Sequence, residues 1–189
     1  VCLGHRSRRK QGRALAAACR PMTWPGWAYA FPMVRAGGLF IFIMGVGVVL
    51  GAILPTRRRS FLVFGAVVAT IALVLSAARL SAPFGTPTRL QLWFLFASIG
   101  AEAILVRVAV ALYRQAGERS LLLAILFAVG LHFFPMAVAF GPACAALGAT
   151  LCAFAGIGLW LRPGIALDKL WASDGFIKMV FGAIMLLAP

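Results

Sequence analysis

The chain has 189 residues, of which 63% are hydrophobic and only 12% charged, and it carries a formal charge of +14 at a mean hydropathy of +1.00. A water-soluble domain of this size cannot bury that much apolar surface, which argues against a soluble enzyme or binding module. The charge invites a nucleic-acid partner. However, most of the basic residues fall in gaps between apolar runs or in the first 20 residues, with no basic stripe of interleaved exposed aromatics, so none is expected.

The apolar runs are continuous rather than alternating, and about 17 to 25 helical residues cross a hydrocarbon core of ~30 Å. Lipid offers the backbone no hydrogen bonds, so continuous runs of this length are expected as helices rather than barrel strands. The expectation is an all-α fold, an integral membrane six-transmembrane-helix bundle over residues 35–189. Residues 1–34 precede it as a basic segment without a core. That segment holds Arg6, Arg8, Arg9, Lys10, Arg13 and Arg20 with no acid, and its run from Ala14 to Cys19 is too short for the apolar part of a signal peptide. It reads either as a tail lying on anionic lipid heads or as sequence upstream of a start at Met22 or Met33. Cys2 and Cys19 lie in it, so no disulfide framework is implied.

The first span is expected at 36–54, bracketed by Arg35 and by Arg57, Arg58 and Arg59, with Gly47 and Gly51 four apart on a face open to close helix contact. The second, 61–78, carries little that is polar beyond Thr70 and Ser76. A loop rich in proline and threonine leads to the third, 90–113, with Trp93 at interfacial depth and Arg107 near enough to its end to reach the headgroups. A polar turn around Gly117 separates this from the fourth span, 121–140. There Pro135 has no N–H for the Leu131 carbonyl, leaving a free acceptor beside His132. Such a kink builds a small polar pocket or bends the helix around its neighbours. In the fifth span, 143–161, Cys144, Gly148, Cys152 and Gly156 follow at steps of four and read as a packing seam. Thiols eight residues apart on a helix are ~12 Å distant and cannot share a metal ion. Residues 165–171 are expected along the interface before a short sixth span at 172–187, with Asp174 and Lys178 as an anchoring i,i+4 pair at the membrane boundary.

Glu102 and His132 are the least comfortable residues in this scheme. They lie fifteen positions either side of Gly117, which puts both ~20 Å from the turn in a helical hairpin. A charge at that depth costs roughly 3 kcal/mol and turns toward a partner. The two side chains are therefore expected with their nearest polar atoms within ~6 Å or one bridging water, although spacing alone does not set helix rotation. The plainer alternative is a Glu102 that is protonated, or hydrogen-bonded to a neighbouring backbone or to Ser98, and merely holds helices together.

From Arg35 onward, the gaps after spans one, three and five hold Arg57, Arg58, Arg59, Arg114, Arg119, Arg162 and Lys169, whereas Arg35, Arg79 and Arg89 lie on the other side. This bias places the termini outside; adding the six basic residues of the first 20 reverses it.

Gly130-Leu131-His132-Phe133-Phe134-Pro135, Ala101-Glu102 and Asp174-Gly175 together resemble stretches of small bacterial multi-pass membrane proteins of unknown function. The resemblance implies a cell-membrane location and a helical fold, and brings no activity, substrate or cofactor. The sequence has no Gly-rich phosphate loop and no HExxH, and His5 is the only other histidine, so neither catalysis nor a haem, metal or other cofactor is expected. Two functions remain. One is a small-solute or proton transporter or channel using Glu102, His132 and Pro135. The other is a structural or accessory membrane protein that assembles, with itself or a partner, through the small-residue faces.

Overall fold

The structure, a computed structural model, describes residues 31–81, 85–160 and 164–188. Expectations about the first 30 residues, including Cys2, Cys19 and Met22, lie outside the described residues, as do those about Arg162 and Pro163.

Each apolar run satisfies its backbone within a helix. They are α1 (Val34–Ile53), α2 (Arg58–Ser81), α3 (Arg89–Tyr113), α4 (Glu118–Phe140), α5 (Pro142–Trp160) and α6 (Leu167–Leu186), with a 3-10 turn at Pro55–Arg57 between α1 and α2. No strand occurs among the described residues. Local chemistry sets several ends. Thr88 and Gln91 form a reciprocal capping box before α3, Gln91 N–H to Thr88 Oγ1 at 3.2 Å and Thr88 N–H to Gln91 Oε1 at 2.9 Å. Gly117 and Gly141 turn the chain between α3, α4 and α5 at φ of +94° and +89°, a region that side chains disfavour.

Among the described residues, five helices, α1 to α5, are long and apolar enough to cross a membrane. The sixth is 20 residues long but contains Asp168, Lys169, Asp174 and Lys178, so composition does not place it with the others. It also differs from its expected form. No separate interfacial segment covers 165–171: α6 starts at Leu167 and runs unbroken, with Asp168 in its first turn opposing the helix dipole.

Glycines decide which helices touch. On α1, Gly38 and Gly45 face Gly182 and Gly175 of α6 so closely that a Cβ on Gly38 would sit 2.5 Å from the Leu186 nitrogen. A Cβ on Gly45 would sit 2.7 Å from the Gly175 carbonyl oxygen. The order of these pairs makes the two helices antiparallel along most of their length, and Arg35 Nε donates to the Ala188 carbonyl at 2.9 Å at one end of the seam. Gly130 and Gly148 join α4 to α5 in the same way, a Cβ on Gly148 lying 2.7 Å from the Gly130 oxygen. The packed core links the α1/α6 pair to the α4/α5 pair through Ile41, Phe133, Phe140, Leu147 and Met185. Helices α2 and α3 lie outside this four-helix centre, on α1 and α4 respectively. Only 11% of the apolar stretch of α2 and 17% of that of α3 is buried, against 50% for α1, so their remaining faces look outward.

Candidate functional site

One stripe of α3 faces the bundle. Gln91, Leu95, Ser98 and Ala109 are buried, and Glu102 falls in their register of alternating four- and three-residue steps. The same stripe brings Glu102 to His132 on α4, with Oε2 3.6 Å from Nε2. His132 is 5% exposed, whereas the Glu102 side chain keeps 35% of its surface open. The Ser98 hydroxyl donates to the Phe94 carbonyl of its own helix at 2.5 Å.

The other imidazole nitrogen defines the chemistry. His132 Nδ1 lies 2.5 Å from the Val129 carbonyl oxygen, and a carbonyl can only accept, so Nδ1 carries the hydrogen. In the neutral ring Nε2 then presents a lone pair toward Glu102. An ionised carboxylate there would set lone pairs against each other, so the pair is matched when one proton lies on either side of the 3.6 Å gap. The Phe133 ring covers one side of the imidazole at 4.3 Å between centroids. Pro135 interrupts the hydrogen-bond ladder of α4 three residues further on. The acceptor used by His132 is the Val129 carbonyl, not the Leu131 carbonyl that the proline leaves without an N–H.

A second acid–base pair lies in the same interior. Lys178 Nζ donates to Asp174 Oδ2 at 2.7 Å, and both residues are buried. Asp174 Oδ1 is also buried and has no hydrogen-bond partner among the described residues. Lys178 lies within electrostatic range of His132. The expected place for this pair was the membrane boundary. Because α6 begins at Leu167, five residues before the expected start, Lys178 falls near the middle of the helix and is enclosed by protein.

The packing candidates divide. Gly47 meets Gly65 of α2, a Cβ on it lying 3.1 Å from the Gly65 Cα, and Gly51 sits beside Arg58. Cys144 is buried in the core. Gly148 and Cys152 face Gly130, with the Cys152 thiol donating to the Phe127 carbonyl at 3.7 Å. Gly156 has nothing within 4 Å of a would-be Cβ. No group of three or more metal-ligating side chains occurs among the described residues.

Comparison with protein families matches residues 26–189, which include the six described helices and Glu102, His132, Asp174 and Lys178, to a family of unknown function, DUF6609. The chain belongs to DUF6609. No curated protein and no solved structure matches it. The match agrees with the resemblance to an uncharacterised family and adds no activity.

One DUF6609 feature escaped the sequence reading. Arg58, read only as a topogenic charge, reaches Glu118 at 3.4 Å, pairs with Asp168, donates through Nε to the Gly51 carbonyl at 3.4 Å and lies 5.2 Å over the Trp171 ring. It thereby ties together the α1–α2 connection and the starts of α4 and α6 at one end of the bundle. Nearby, Arg119 donates to the Gly158 carbonyl at 2.6 Å. The signal was arithmetic: the chain has four acidic residues against 18 basic ones, so each acid is worth pairing before any base is set aside as a membrane anchor.

Proposed function

We propose that this DUF6609 protein is a six-span membrane protein that carries a proton, or a small solute or cation in exchange for one, with Glu102 and His132 holding the proton. The observation that carries the reading is the 3.6 Å approach of Glu102 Oε2 to His132 Nε2 while Nδ1 is committed to Val129. A pair that needs one proton, and whose carboxyl remains 35% exposed, is suited to load and release it. Pro135, one turn away, gives α4 a place to flex.

Helix α6 is read as the sixth span. It runs antiparallel to α1 through two glycine pairs spaced seven residues apart on each helix, so both occupy the same depth. Its two central charges neutralise each other away from lipid. The accessory-protein reading draws less support, since Gly47 and Gly148 are covered by helices of the same chain and only Gly156 of the seam is open.

The test is flux in liposomes under an imposed pH gradient. Wild type is expected to dissipate the gradient, and Glu102→Gln to lose that activity while eluting as a folded protein in detergent. Equal leakage through wild type, Glu102→Gln and empty vesicles would reject the transport reading.

A further inference from the structure

At the end of the bundle organised by Arg58, α2 and α4 leave between them an open hollow of about 570 Å³, within the range typical of small-molecule sites. Its rim and its floor differ in chemistry. The rim carries Arg57, Arg58, Arg59 and Ser60 together with Glu118, which Arg58 engages, and the floor, one to two turns further along the helices, is made by Leu62, Leu122 and Ile125. Arg58 is already engaged by Glu118 and Asp168 and holds the hollow's shape. Arg57 and Arg59 are exposed and have no acidic partner among the described residues.

Two uncompensated guanidiniums and a hydroxyl above an aliphatic floor match a ligand with an anionic head and a hydrocarbon body. Inorganic phosphate would satisfy the rim and leave the floor bare. Trp171, at the side of the hollow in the second turn of α6, is the residue type that favours headgroup depth. We propose that this hollow binds an anionic glycerophospholipid, its phosphate against Arg57 and Arg59 and one acyl chain along Leu62, Leu122 and Ile125. The inference rests on the membrane reading but not on proton transport.

The experiment measures lipid binding to the detergent-purified full chain by native mass spectrometry and thermal shift. The probes are phosphatidylglycerol, phosphatidylcholine and inorganic phosphate. Phosphatidylglycerol is expected to bind wild type and raise its melting temperature, with phosphatidylcholine and phosphate doing neither. Arg57→Gln with Arg59→Gln should weaken binding by about thirtyfold, the combined effect of two basic residues near a membrane surface. Arg114→Gln, at the exposed α3–α4 turn, should leave it unchanged. Ile125→Trp, which fills the floor and spares the rim, should reduce binding independently of charge. Equal binding of phosphatidylcholine, equal stabilisation by phosphate alone, or full binding by both the double arginine variant and Ile125→Trp would overturn the proposal. A chain that stays dispersed without detergent would instead overturn the membrane reading beneath it.

Discussion

The interior holds two acid–base pairs built on opposite principles. Asp174 and Lys178 sit on one helix, four residues apart, in contact at 2.7 Å and both buried. Glu102 and His132 come from two helices, stand 3.6 Å apart, and leave the carboxyl partly open. The first pair is neutral whatever α3 and α4 do, because its geometry comes from α6 alone. The second depends on the rotation of two helices. A bundle that only needed stability gains little from the second arrangement, because a 3.6 Å separation with one partner partly open is beyond ordinary hydrogen-bond distance.

Breaking the α6 pair is expected to cost most. Lys178→Met strands the Asp174 carboxylate in protein and should destabilise the fold by roughly 3 to 5 kcal/mol, read as a lower melting temperature in detergent. Combining it with Asp174→Asn should restore most of the loss. A double variant as unstable as the single one would show that the lysine matters through packing rather than charge.

The glycine seam that carries this pair comes next. Gly182→Ala places a methyl within 2.5 Å of the Phe42 nitrogen, and overpacking of this kind costs about 1 to 3 kcal/mol. Gly156→Ala, which meets nothing within 4 Å, should be neutral in the same melting assay. Equal effects would mean that the α1–α6 contact is looser than described. Arg58→Gln should cost less again, about 1 kcal/mol or below, because Glu118 and Asp168 are both more than half exposed. The smallest effect on stability is expected at the second pair. Glu102→Gln should change the melting temperature little, and thermal unfolding beside the flux assay would show function and stability separating there and not at Lys178.

The sequence made some of this legible and withheld the rest for identifiable reasons. Long apolar runs and polar breaks marked the helices, since a backbone without water must bond to itself. Equal spacing from Gly117 put Glu102 and His132 at one depth but could not orient them. The missing information was the register of α3, whose stripe through Gln91, Leu95 and Ser98 also passes through Glu102. Helix α6 is expected short because Asp168 and Lys169 suit a separate segment along the interface, although an acid in a first turn is also a helix start. The α1–α6 seam was missed because Gly47 and Gly51, four apart, drew attention within one helix. The informative spacing was seven, repeated at distant places as Gly38 and Gly45 and as Gly175 and Gly182. Arg58 was hidden among three consecutive arginines, with partners 60 and 110 residues away.

The most direct measurement is infrared difference spectroscopy of the carboxyl C=O stretch across a pH titration of the reconstituted protein. A proton shared between Glu102 and His132 predicts a carboxyl difference signal that is lost in Glu102→Gln and altered in His132→Gln. A Glu102 carboxyl signal indifferent to His132→Gln would contradict the account.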